Sequence, residues 1–162
     1  QDRDGRTVRT VLGIDIDIRS HNREAIEAHP LARRIDMIQG SSVSDDVTAR
    51  VKEAARGKES VLVILDSNHT HEHVLAELEA YAPLVTLGSY CLVYDTLIED
   101  MPAELFPDRP WGPGDNPKTA VWEYLKSHPE FEIDESIPNK LLITVGPDGY
   151  LTRISLPLIL IS

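Results

Sequence analysis

The run Asp66-Ser67-Asn68-His69 and the later Asp95 carry the residue types in this sequence best suited to chemistry. Two carboxylates brought together repel unless a proton or a cation relieves them. A hard cation such as Mg2+ takes one or two carboxylates and completes its shell with water and substrate oxygens. Bound there, a substrate hydroxyl would become more acidic and would be fixed in orientation. An imidazole at His69, beside Asp66, is suited to taking the proton from such a hydroxyl. The plainer readings are two separate helix caps or salt-bridged acids, and a capping or surface histidine. His71 and His73 follow closely, so three histidines fall within five residues. A zinc site is disfavoured all the same, because helical residues two apart point in different directions.

A second group lies earlier in the chain: Asp15 and Asp17 after an apolar run, then Gly40-Ser41-Ser42. An acid at the end of a strand suits a ribose, whose two hydroxyls it can accept from. It could equally cap a helix or sit in solvent. The pattern does not tell one nucleoside cofactor from another.

These residues must be positioned by an alternation of strands and helices. Residues 8–17 read as the first strand, with Val11, Leu12, Ile14 and Ile16 apolar, and Ser20 is placed to cap the next helix. Residues 35–38 read as a strand closed by Gly40. Residues 45–55 read as a helix with Val47, Val51, Ala54 and Ala55 on one face. The run Ser60–Leu65 is apolar without alternation, as in a central parallel strand covered on both faces. A helix over 71–81 carries a stripe of Val74, Leu75, Leu78 and Tyr81, and a buried strand over 90–94 ends at Asp95. The stretch 96–115 holds Pro102, Pro107, Pro110 and Pro113 and reads as a long lid or binding loop, with Trp111 inside it. Asn116-Pro117 is a strong helix start, for a helix reaching about residue 127. Strands are expected over 131–133, 141–145 and 150–154, with Pro147-Asp148-Gly149 as a turn.

Such alternation implies an α/β, Rossmann-like sheet, mostly parallel, with helices on both faces and an antiparallel C-terminal strand. Ligands bind such sheets outside the carboxyl ends of the strands. Asp15, Asp17, Ser41, Ser42, Asp66 and Asp95 all end strands, so they are expected to share one cleft. One domain over residues 1–155 is expected, followed by an apolar tail over 156–162.

The composition narrows the partners. The chain has 162 residues, 41% apolar and 27% charged, enough for one buried core. A formal net charge of −11 repels nucleic acid and anionic lipid and suits a small neutral or cationic ligand. Cys91 is the single cysteine and reads as a core residue. The lack of an internal disulfide is compatible with the cytoplasm. No apolar run reaches the roughly 20 residues of a membrane helix. The apolar tail could pack on a second copy, giving a homo-oligomer.

Taken together, the sequence resembles the cephalosporin hydroxylase family, which has a methyltransferase-type fold. The resemblance is carried by residues 11–19, by Leu62 to Leu75 including Leu65-Asp66-Ser67-Asn68-His69, and by Tyr81-Ala82-Pro83-Leu84-Val85. It continues through Gly88-Ser89-Tyr90, Phe106-Pro107-Asp108-Arg109-Pro110-Trp111-Gly112, Asn116-Pro117-Lys118-Thr119-Ala120-Val121 and residues 139–144. The resemblance implies S-adenosylmethionine as cofactor, Mg2+ as metal, and O-methylation of a small hydroxylated natural product or sugar, as in antibiotic biosynthesis. By position it implies that Asp15, with Asp17, holds the ribose, that Ser41 and Ser42 border the adenine, and that Asp66 also faces the cofactor. It implies Asp66, Asp95 and Thr96 as metal ligands and His69 as the base. Relatives begin with a strand and a glycine-rich turn, and a segment of that kind is expected before Gln1. Two rival readings remain: a non-catalytic scaffold partner in a tailoring pathway, and a nicotinamide-dependent enzyme.

Overall fold

The computed structural model describes residues 9–156, in two compact units that meet in sequence at Ala54 and Ala55. Residue 8 of the first expected strand and most of the apolar tail, 157–162, lie outside the described residues.

The first unit contains strand β1 (Val11–Asp15), helix α1 (Ser20–Glu27), strand β2 (Ile35–Gln39) and helix α2 (Asp45–Ala55). β1 and β2 pair in parallel, from Val11 opposite Ile35 to Asp15 opposite Gln39. A parallel pair needs a crossover, and α1 supplies it. Ser20 is the first residue of α1 rather than its cap. Arg19 holds the cap position, and no side chain satisfies the helix end there. At the end of β2 the chain passes close to α2: a Cβ on Gly40 would lie 2.9 Å from the Val47 side chain. Val47 and Ile38 are buried in this unit.

The second unit runs through strand β3 (Val63–Leu65), helix α3 (His71–Tyr81), strand β4 (Tyr90–Val93), helix α4 (Pro117–Leu125), strand β5 (Phe131–Ile133), helix α5 (Ser136–Leu141) and strand β6 (Tyr150–Arg153). Its sheet has the order β3-β4-β6-β5. β3 and β4 are parallel, while β6 runs antiparallel to both β4 and β5. All strands but the last therefore share a direction within their own unit, as the sequence pattern requires. Alternation places Leu65, Cys91, Val93, Leu151 and Phe131 on the buried side of the sheet. Val74, Leu78 and Tyr81 of α3 and Ala120, Val121 and Tyr124 of α4 complete this core. α3 packs on β3 and α4, and α4 packs on β4. Each large apolar side chain buried this way contributes about 1.5–3 kcal/mol. Arg153 is buried as well, and donates to the carbonyls of Pro83 at 2.9 Å and Val85 at 2.5 Å.

Three further expectations are corrected. The strand expected over 60–65 is ordered as a strand only at Val63–Leu65, the span that meets Cys91–Val93 of β4. The strand expected over 141–145 is absent: α5 occupies the chain up to Leu141, and Leu142 turns at φ 65°. β4 and β6 are each paired on both sides, and, among the described residues, 142–145 add no strand beside the edge strands β3 and β5. The long loop after Asp95 is partly ordered, with short 3-10 helices at Thr96–Asp100 and Ala103–Leu105.

Candidate active site

β3 and β4 are adjacent and parallel, so their carboxyl ends emerge at one edge. The Tyr94 amide donates to the Leu65 carbonyl at 3.0 Å, which carries the pairing one residue beyond β4. Asp66 follows β3 directly, and Asp95 follows Tyr94. Asp95 adopts a left-handed conformation at φ 57°, at the head of the 3-10 helix beginning at Thr96. Aspartate tolerates this region better than most residues, yet it is still costly, and such residues collect at functional sites.

The turn 66–70 then brings His69 back over the strand ends. Its Nε2 lies 2.5 Å from Asp95 Oδ2. Asp66, His69 and Asp95 each offer one ligand atom, and these atoms all lie within 4.8 Å of one another. Asn68 Oδ1 accepts from the Thr70 amide at 2.9 Å, which shapes the entry into α3. A carboxylate only accepts, so the His69 ring presents Nε2–H to Asp95. His69 Nδ1 is buried and has no hydrogen-bond partner in the structure.

The long loop is fastened around this turn. Trp111 packs on the His69 ring with centroids 5.0 Å apart, and the Arg109 guanidinium lies 5.3 Å over the indole. Asp115 Oδ1 accepts from the His71 amide at 2.7 Å. Glu99 accepts from the Gly114 amide at 2.7 Å and from Asn116 Nδ2 at 2.5 Å. Asn116 also caps α4, accepting from the Lys118 and Thr119 amides, while Thr119 Oγ1 accepts in return from the Asn116 amide. Lys118 reaches Asp100 at 2.7 Å and Asp148 at 3.4 Å. Burial alone would lower its pKa, but these two carboxylates outweigh that and hold it above the ordinary lysine range.

The donor set suits a hard divalent cation. Two carboxylates supply oxygen ligands, and imidazole is better matched to softer ions. In the first unit, the Asp15 carboxylate accepts from the Asp17 amide at 2.8 Å, and the Gly40 amide donates to the Asp15 carbonyl at 2.9 Å. Asp15 and Asp17 thus lie beside the segment that leads into Ser41 and Ser42.

Residues 5–154 match the Rhamnosyl O-methyltransferase/CmcI family. The chain belongs to that family. Rhamnosyl O-methyltransferases of Mycobacterium bovis and Mycobacterium tuberculosis are 34% identical to it over 131 residues, covering 76% of this chain and 50% of theirs. The Mycobacterium leprae protein of the same name is 32% identical over 149 residues, covering 88% of this chain and 58% of its own. The chain thus spans about half the length of these relatives. Among solved structures, MycE methyltransferase from the mycinamycin biosynthetic pathway, in complex with Mg and SAH, shares the fold. Its TM-score is 0.51 at 18% identity, covering 93% of this chain and 39% of that one.

Within this Rhamnosyl O-methyltransferase/CmcI member, the structure gathers Asp66, His69 and Asp95. The Thr96 side chain is fully buried and its hydroxyl donates to the Pro147 carbonyl. The other two histidines of the cluster point elsewhere, as helical spacing demands. His71 Nδ1 meets Thr119 Oγ1 at 2.8 Å, and His73 faces Glu77 on its own helix. Sequence reasoning passed over Glu77. The signal was present, because 74, 77, 78 and 81 follow helical spacing and put an acid in the middle of the buried stripe.

Proposed function

We propose that the protein transfers a methyl group from S-adenosylmethionine to a hydroxyl of a small natural product or sugar, with Mg2+ held by Asp66 and Asp95. The convergence of Asp66, His69 and Asp95 at the ends of two adjacent parallel strands carries this reading. It is supported by the names of the mycobacterial relatives and by the Mg and SAH bound in MycE.

In the overall reaction the acceptor oxygen loses its proton and forms a bond to the methyl carbon. The sulfur–methyl bond breaks, and S-adenosylhomocysteine leaves. The cation, when bound, would stabilise the negative charge that develops on the acceptor oxygen. Asp15, supported by Asp17, accepts from the ribose hydroxyls, and Ser41 and Ser42 border the adenine. His69 takes the acceptor proton. For it to accept at Nε2, Asp95 must give up their hydrogen bond and the ring must keep its own hydrogen at Nδ1. Trp111 and the loop 98–115 shape the acceptor side. Most of the rate comes from holding the two reactants in line, with proton removal adding to it.

Replacing Asp66 with Ala is the direct test. Metal-dependent methyl transfer should disappear while circular dichroism and melting temperature stay as in the wild type; undiminished turnover refutes the metal role. Calorimetry with S-adenosylmethionine, with and without Mg2+, separates the reading from a non-catalytic scaffold, for which no heat of binding is expected in either case.

A further inference from the structure

Glu77 is an acid buried among apolar residues. It lies on α3 beside Val74, Leu78 and Tyr81, and only 2% of it is exposed. Its Oε1 accepts from Ser67 Oγ at 2.8 Å and lies 3.4 Å from His73 Nε2. Its Oε2 is buried and has no hydrogen-bond partner in the structure. A carboxylate in such a place is costly, and an apolar side chain of similar size would pack there at less expense to stability. What the carboxylate reaches, and an apolar side chain could not, is the turn that carries the site. Ser67 sits between Asp66 and His69, is itself exposed, and has its hydroxyl tied down to α3.

We propose that Glu77 is a positioning residue: through Ser67 it fixes the 66–69 turn on α3 so that Asp66 and His69 face Asp95. The turn joins a three-residue strand to a helix and has few other anchors. Asn68 bonds only locally, to the Thr70 amide. Trp111 packs on His69 but comes from the long loop. The Ser67–Glu77 bond is the tie that runs from the turn into the core of the second unit. The consequence for a bound cation rests on the function proposed above; the consequence for the His69–Asp95 geometry does not.

The chain labelled uniformly with 15N tests this without metal. The His69 Nε2–H proton, bonded to Asp95, should exchange slowly in the wild type. Ser67→Ala and Glu77→Leu should each speed its exchange about 10-fold or more, relative to the Leu151 amide in the buried sheet. Glu77→Gln, which still accepts from Ser67, should restore slow exchange. A merely structural role would speed both signals together. A second readout is the dissociation constant for Mn2+, a probe of the cation site, which should rise about 10- to 100-fold in Ser67→Ala. If Glu77→Leu does not fold, Ser67→Ala on its exposed turn decides the matter. Unchanged His69 exchange in Ser67→Ala overturns the proposal. A wild type that fails to bind Mn2+ would instead sink the metal reading and leave the ring-proton comparison standing.

Discussion

Burial pushes the Cys91 thiol up to about 12, and the charge of Glu77 adds to the shift. The same two causes, in the same order, raise Tyr81 to about 12. Both groups stay neutral at any physiological pH. The thiolate is the reactive form of cysteine, so Cys91 cannot serve as a nucleophile in the folded protein. A disulfide reagent such as dithionitrobenzoate, added at pH 8, should release no colour from the native chain and one equivalent after guanidinium denaturation. Reaction of the native chain at the rate of a free thiol would contradict the packing around β4. Core placement of Cys91 was legible in the sequence, because it stands inside the apolar run Tyr90–Tyr94. The burial of Glu77 was legible only from its helical spacing with Val74, Leu78 and Tyr81, because residue type alone assigns a glutamate to the solvent face.

At the scale of elements, the local signals that carry their own mechanism were the ones that told most. Asn116-Pro117 gave the start of α4 because an amide that caps and a proline that needs no donor fit only that position. Pro147-Asp148-Gly149 gave the turn before β6. The structure shows why glycine stands there: a Cβ on Gly149 would collide with the Val93 carbonyl, while the Val93 amide donates to the Gly149 carbonyl at 2.8 Å. Gly149→Ala should therefore push β6 away from the end of β4 and cost about 2–3 kcal/mol, read from urea unfolding of the full chain. A loss below about 0.5 kcal/mol would show that the turn can shift without disturbing the sheet. Strand composition failed where pairing decides. Residues 141–145 have the side chains of a strand but follow α5 and turn at Leu142, and Leu142 and Ile143 stand 87% and 91% exposed. Ser60–Leu65 reads as a central strand, yet among the described residues β3 pairs only with β4, and Ile64 is left 53% exposed.

For the molecule as a whole, the distribution of burial matters more than its sum. In the first unit, Ile38 and Val47 are the described apolar side chains that reach full burial, and its sheet has two strands among the described residues. Two strands are marginal without further cover. The second unit buries Leu65, Val74, Leu78, Cys91, Val93, Val121, Tyr124 and Leu151 around four strands. Local opening should therefore be easier in the first unit. Hydrogen exchange read by mass spectrometry should show peptides over 11–15 and 35–39 exchanging about 100-fold faster than those over 90–93 and 150–153. A ligand that binds only the folded form adds RT ln(1 + [L]/Kd), about 2.7 kcal/mol at a hundred times Kd. If Asp15, Ser41 and Ser42 hold the nucleoside, S-adenosylmethionine at that excess should slow exchange over 11–17 and 35–42. Mg2+ alone should leave those peptides unchanged and slow those over 66–70 and 94–96. Equal protection of the two units without ligand would remove the argument from burial. Cofactor that protects only the second unit would move the nucleoside away from Asp15, because binding free energy appears as protection only where the ligand holds the chain closed.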